Sequence, residues 1–99
     1  MTTIDENKIY KDALEIFGAT SQKIMLLEEM SELTKELCKE LRDRGNIDNI
    51  AEEVADVEIV LAQIKQIYNI SDKVKEQKNY KLHRFANKMA AIRAEQNKN

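Results

Sequence analysis

The chain almost lacks the two residues that most often interrupt helices, since its 99 residues include no Pro and only two Gly. A β-sandwich or β-barrel needs many tight turns, and these are built largely from Gly, Pro and short polar residues. Hydrophobic residues make up 42 % of the chain, which is enough to form a core. We therefore predict an all-α fold of a few long helices. At this length we expect one domain, spanning residues 1–99, with frayed ends near 1–4 and 96–99.

Capping residues divide the chain into four predicted helices joined by short connections. Gly18 and Gly45 are placed to end the first and second helices. The predicted bounds, with candidate N-caps marked, are Asp5 (N-cap) to Phe17, Thr20 or Ser21 to Arg44, Asp48 (N-cap) to Tyr68, and Ser71 (N-cap) into the nineties. Connections this short make consecutive helices antiparallel neighbours, so we predict a four-helix bundle.

Composition excludes several kinds of site and location. The single cysteine, Cys38, rules out a disulfide within the chain and a cysteine zinc site, and the single histidine, His83, rules out a multi-histidine metal site. The first residues have neither the basic nor the apolar region of a signal peptide. No run approaches the roughly 18 apolar residues of a membrane span. We therefore expect a cytoplasmic protein without a membrane partner.

Charge is distributed unevenly along the chain, although the formal net charge is only −2. Residues 28–58 contain eleven acids and four bases, a charge of −7, whereas residues 69–99 contain eight bases and three acids, a charge of +5. The near-neutral total and the acidic centre argue against nucleic acid as a partner. The sequence instead predicts an acidic focus beside a basic fourth helix, an arrangement that suits a phosphorylated ligand.

Two pairs of acids have the same position relative to the apolar rows of the second and third helices. Glu29 and Glu32 form one i, i+3 pair, and Glu53 and Asp56 form the other. Each pair lies roughly 70–130° to the same side of its row at about 100° per residue. The rows are Leu26, Met30, Leu33 and Leu37 on the second helix, and Ile50, Val54, Val57 and Leu61 on the third.

Antiparallel packing of these rows would bring the four carboxylates to one edge. Like charges about 4 Å apart repel, and a hard cation would relieve that repulsion. Oxygen ligands without Cys or His select Mg²⁺, Mn²⁺ or Ca²⁺. The alternative interpretation is a solvated acidic face with no bound ion.

The acids also form two sequence motifs. Residues 28–32 read EExxE and residues 53–56 read ExxD. With this spacing, the chain resembles the MazG-like family of all-α nucleoside triphosphate pyrophosphohydrolases over roughly residues 10–90. The segment from Phe17 to Gln22 is similar to the family's aromatic-Gly and Gln segment, and the stretch from Lys78 to Arg84 is similar to its K-x-x-K-x-x-R motif.

The resemblance implies a role for each motif residue. It implies Mg²⁺, with Mn²⁺ as an alternative, bound by Glu29, Glu32, Glu53 and Asp56. Glu28 would orient or deprotonate the attacking water, or would contact the metal ligands without binding the metal itself. Gln22, Lys78, Lys81 and Arg84 would bind the substrate. The implied reaction is NTP plus water giving NMP plus pyrophosphate, with house-cleaning of non-standard nucleotides as one biological use.

The chain departs from the family in two respects. It has no Trp, and Phe17 stands where many relatives have one. The base-stacking residue therefore stays open among Phe17, Tyr10, Tyr68, Tyr80 and Phe85. The chain is also a single short module, and the resemblance implies a homodimer or homotetramer that completes the site. The alternative function is a non-catalytic helical assembly or partner-binding protein of the same fold.

Overall fold

The computed structural model describes residues 3–98, which form four α-helices and, within that range, no strand. The helices are α1 (Glu6–Phe17), α2 (Ala19–Leu41), α3 (Ile47–Tyr68) and α4 (Ser71–Gln96). The all-α prediction is therefore confirmed, and so is the number of helices. Part of the predicted fraying falls on residues 1, 2 and 99, which lie outside the described residues.

The predicted boundary of α1 is confirmed, whereas two other predicted caps are wrong. The Asp5 carboxylate accepts a hydrogen bond from the Lys8 N–H at 3.2 Å and caps α1. For α3 the cap is Asn46 rather than Asp48: the extended backbone of Asn46 lets its side-chain oxygen accept from two N–H groups, at 2.8 and 3.3 Å. Ser71 is the first residue of α4 and follows Ile70, so α4 has no side-chain cap.

The connection between α2 and α3 begins three residues earlier than predicted. α2 ends at Leu41 instead of Arg44, because Asp43 adopts a left-handed conformation with φ of 59°. Gly45 then passes so close to the end of α2 that a Cβ atom there would lie 2.5 Å from the Cα of Glu40. Only glycine fits this approach, which turns the chain back so that α3 runs antiparallel to α2.

The chain divides into two compact units, Met1–Asn69 and Ile70–Asn99. In the first unit α2 and α3 pack along one another, and α1 packs against both. Among its described residues, Val60 is the buried hydrophobic residue of this unit, and Gln22, Glu36 and Gln63 are buried polar residues. The first unit therefore has a thin core that is partly polar.

The second unit consists mainly of α4, whose side chains are largely exposed. Its larger apolar side chains lie at 3–4 residue spacing, as on one side of a helix: Leu82, Phe85, Met89 and Ile92. Across residues 3–98, none of the helices combines the length and apolar character needed to cross a bilayer.

Candidate metal centre

Three of the predicted metal ligands lie where α2 and α3 pack. Glu29 is on α2, seven residues after buried Gln22 and seven before buried Glu36, so it shares the buried side of that helix. Glu53 and Asp56 lie one turn apart on α3, before buried Val60. The periodicity of the two helices therefore turns these carboxylates toward each other.

One oxygen from each of Glu29, Glu53 and Asp56 lies within 4.8 Å of the others. We call these three residues the carboxylate cluster. Each of them is partly buried, whereas Glu32, the fourth predicted ligand, is exposed and lies outside the cluster. The structure thus brings together carboxylates from both sequence motifs, as the spacing predicted, but gathers three of them and not four.

The pKa values of two cluster carboxyls are raised. Partial burial, followed by the negative charges of Asp56 and Glu53, raises the pKa of Glu29 above its ordinary value of 4.5. Partial burial, followed by the charges of Asp56 and Glu32, raises the pKa of Glu53. The Glu32 carboxylate therefore acts on the cluster through its charge although it is not a member.

The donor atoms of the cluster fit a hard divalent cation. Glu53 Oε2 is buried and has no hydrogen-bond partner among the described residues, so it has lost water without gaining a protein donor. Opposite ligands lie about 4.2 Å apart around Mg²⁺ and about 4.6–5.2 Å apart around Ca²⁺. Oxygens within 4.8 Å of one another suit either ion after small side-chain adjustments.

Glu28 and Gln22 occupy different environments on α2. Glu28 is exposed and lies one turn before Glu32, so these two acids share a side of α2. Gln22 is only 2 % exposed. The predicted contact of Gln22 with substrate would therefore require a ligand to reach a side chain that is buried in this structure.

The three basic residues predicted to bind phosphate lie together on α4. Lys78, Lys81 and Arg84 follow one another at intervals of one turn, and all three are exposed. Lys78 and Lys81 line a groove of 620 Å³ that also includes Leu82 and Phe85. Their binding of a triphosphate stays a prediction.

The aromatic candidates differ in exposure and contacts. Tyr68, at the end of α3, is exposed and has the Lys23 ammonium 4.7 Å from its ring centroid. This is a cation–π contact within the first unit. Phe17, Tyr80 and Phe85 are exposed, whereas Tyr10 is partly buried. The choice among them stays open.

Two buried polar residues were not singled out by the sequence patterns. Glu36 Oε2 and Gln63 Oε1 are buried and have no hydrogen-bond partner within residues 3–98. The other oxygen of Glu36 lies 3.4 Å from the Lys39 ammonium. The spacing of Gln22, Glu29 and Glu36 at seven-residue intervals would have indicated a polar row on the buried side of α2.

Comparison with known proteins identifies no relative of this chain. It matches no protein-family model, no curated protein and no solved structure. The interpretation of the carboxylate cluster therefore rests on its own geometry and on the two sequence motifs.

Proposed function

We propose that the protein is a Mg²⁺-dependent nucleoside triphosphate pyrophosphohydrolase that converts NTP and water to NMP and pyrophosphate. The observation that carries this proposal is the convergence of Glu29 from the EExxE motif with Glu53 and Asp56 from the ExxD motif. Motif spacing alone is compatible with a solvated acidic surface. Carboxylate oxygens of three residues within 4.8 Å of one another, and a buried Glu53 oxygen without a hydrogen-bond partner among the described residues, favour a cation site.

The residues of the cluster would hold Mg²⁺, with Mn²⁺ as an alternative, and Glu32 would add negative charge beside it. When bound, the ion supplies charge neutralisation to the phosphates and makes water a stronger nucleophile. Partial burial supports this role because electrostatic interactions strengthen where water is reduced. The cluster therefore supplies both the charge and the environment that a polyphosphate reaction needs.

Glu28 is the residue proposed to act on the attacking water. Its exposed carboxylate lies next to Glu29 in the chain and on the same side of α2 as Glu32. In the proposed step the water oxygen forms a bond to phosphorus at the α–β linkage, and the bond from phosphorus to the bridging oxygen breaks. Glu28 accepts the proton that the water loses, and pyrophosphate leaves.

The basic side of α4 is proposed to bind the phosphates of the substrate. Lys78, Lys81 and Arg84 carry three positive charges at one-turn spacing, and charge-assisted hydrogen bonds to phosphate are among the stronger polar contacts. Contacts of this kind carry no information about the base. The proposal therefore includes several NTPs as substrates, and one proposed use is the house-cleaning of non-standard nucleotides. The protein would act as a homodimer or homotetramer in the cytoplasm.

The deciding experiment is a panel of ribo- and deoxyribonucleoside triphosphates incubated with the protein and Mg²⁺. Monophosphate and pyrophosphate should appear in equal amounts, and EDTA should stop the reaction. Release of inorganic phosphate with diphosphate would indicate cleavage at another linkage. Equal rates in EDTA and in Mg²⁺ would refute the metal-dependent reaction.

The second candidate function is a non-catalytic helical assembly or partner-binding protein. The observation in its favour is the large number of exposed apolar side chains on α2 and α3. An inactive protein that still binds Mg²⁺ would favour this candidate, because a cation can also serve only to stabilise the acidic edge.

A further inference from the structure

α4 carries a regular row of exposed apolar side chains. Leu82, Phe85, Met89 and Ile92 are separated by three, four and three residues and are between 46 % and 58 % exposed. We call these four residues the α4 seam. Alternating spacings of three and four residues are the pattern by which one helix packs along another. The seam therefore has the spacing that a second helix would cover.

Basic side chains surround the α4 seam. At about 100° per residue, five bases lie within about 80° of the centre of the seam, and they are Lys75, Lys78, Lys81, Lys88 and Arg93. The acids of α4 lie at least about 100° from that centre, and they are Asp72, Glu76 and Glu95. All five bases are exposed, and none of them forms an ion pair within residues 3–98. The seam and its borders thus present positive charge and no negative charge to a partner.

The charge of these borders distinguishes between possible partner helices. Two copies of α4 packed through their seams would bring the border bases Lys81, Lys88 and Arg93 of both chains together, whether the helices were parallel or antiparallel. Like charges at such positions destabilise a helix pair, whereas carboxylates on the other helix would make the same positions attractive. The borders therefore disfavour a second α4 and favour an acidic helix.

An anionic lipid surface is another partner that a basic amphipathic helix can have. Lys78 argues against it, because this residue lies one turn before Leu82 and in line with the centre of the seam. A bilayer would cover this position with its apolar layer. Beside a partner helix, the long side chain of Lys78 can instead reach a carboxylate at the edge of the interface. The arrangement thus favours a protein helix over lipid.

We propose that α4 binds an acidic amphipathic helix of a different protein. Apolar residues of that helix pack against the α4 seam, and Asp or Glu residues beside them pair with the basic borders. This binding goes beyond the proposed hydrolysis and does not depend on it. Lys78 and Lys81 are also proposed to bind phosphate, so the test uses the bases at the other end of the seam, Lys88 and Arg93.

Peptide binding to the full-length protein tests the proposal. The probe is a fluorescent peptide of about three heptads with Leu at both seam positions of each heptad and Glu beside them, and the matched peptide has Lys in place of Glu. By fluorescence anisotropy at low salt, the wild-type protein should bind the acidic peptide and not the basic one. Higher salt should weaken this binding, because it screens exposed charges.

Reversal of two border charges provides the second measurement. Lys88→Glu combined with Arg93→Glu should weaken binding of the acidic peptide about tenfold and should allow the basic peptide to bind. Lys73→Glu combined with Arg84→Glu is the matched control, since it makes the same change in net charge more than about 100° from the centre of the seam. The control should bind the acidic peptide nearly as the wild type does. Circular dichroism checks that both variants stay helical.

Two sets of results would overturn the proposal. The first is no binding of the acidic peptide to the wild type, or equal weakening by the two double variants, which would mean that only net charge matters. The second is self-association, or binding to phosphatidylserine vesicles, that the Lys88→Glu and Arg93→Glu variant abolishes and the control variant retains. A second copy or a lipid surface would then cover the seam. If the border variant fails to fold, the comparison of the two peptides on the wild type still decides.

Discussion

Two groups of side chains on the α2–α3 pair follow the same helical repeat but have opposite chemistry. One group is Glu29, Glu53 and Asp56, whose like charges and partial burial raise carboxyl pKa values. The other group consists of large apolar side chains that stay exposed, among them Leu37 on α2 and Leu61 on α3. Both groups are unfavourable in a single unliganded chain, the first through repulsion and the second through exposed apolar surface.

Partners of different kinds would stabilise these two groups. A cation removes the repulsion between carboxylates but does nothing for apolar surface. A second protein surface buries apolar side chains but would leave the charges uncompensated. The predictions below perturb the carboxylate cluster, the basic side of α4 and the connection between α2 and α3.

The largest expected effect is on the acidic side. Glu53→Gln keeps the shape of the side chain but removes its charge, so turnover of NTP should fall to below about a hundredth of the wild-type rate. Helicity by circular dichroism should be unchanged. The control is Glu52→Gln, which removes the same charge from an exposed neighbour outside the cluster and should keep near-wild-type turnover. Full activity of Glu53→Gln would contradict the assigned ligand set.

The second prediction concerns pH and Mg²⁺. Because the pKa values of Glu29 and Glu53 are raised in the folded protein, the fold binds these protons more tightly than the unfolded chain does. Their contribution to stability is therefore fully present below about pH 4.5 and is lost as the pH rises through the raised values. At neutral pH, Mg²⁺ at a hundred times its Kd should add about 2.7 kcal/mol to the free energy of unfolding.

Thermal unfolding with and without Mg²⁺ checks the direction of these changes in stability. Glu53→Gln should be more stable than the wild type without metal at neutral pH, and Mg²⁺ should stabilise it less. A wild-type protein whose unfolding temperature at neutral pH is insensitive to Mg²⁺ would show that the cluster is only an acidic surface.

A smaller effect is expected from the basic side of α4. Arg84→Ala should raise KM or lower kcat for several NTPs alike, by the equivalent of about 1.5–3 kcal/mol, because it removes a charge-assisted phosphate contact. Mg²⁺ affinity of the free protein should stay nearly unchanged. Steady-state kinetics across the NTP panel measure the changes in KM and kcat separately. Wild-type kinetics for the alanine variants of Lys78, Lys81 and Arg84 would show that the triphosphate is held elsewhere.

The smallest expected effect concerns the connection between α2 and α3. Asn46→Ala removes the side-chain cap of α3 and should lower the free energy of unfolding by about 1 kcal/mol. Asp48→Ala serves as the comparison, since its side chain is not the cap. Urea unfolding measures both variants. A larger loss for Asp48→Ala than for Asn46→Ala would contradict the observed capping geometry.

Sequence patterns predicted the helices well because their signals are local. The absence of Pro, the position of Gly18 and the capping carboxylate of Asp5 act over a few residues. The errors occurred at helix ends. Asn46 and Asp48 are both good N-caps, and the extended backbone of Asn46 places its side-chain oxygen against the free N–H groups of α3. α2 ends at Leu41 before the left-handed Asp43, and α4 begins at Ser71 without a side-chain cap.

The sequence by itself determined the angular position of each acid and each apolar residue around its helix, because about 3.6 residues per turn is a property of the backbone. That was enough to turn Glu29, Glu53 and Asp56 toward one edge. Only the tertiary structure decided that Glu32 stays outside the cluster, that Glu53 Oε2 is buried without a hydrogen-bond partner among the described residues, and that apolar side chains of α3 such as Val54 and Leu61 stay exposed. These outcomes depend on the axial register and crossing of α2 and α3. The axial register and the crossing angle follow from the way in which many side chains of both helices pack together. Residue spacing within one helix does not determine either of them.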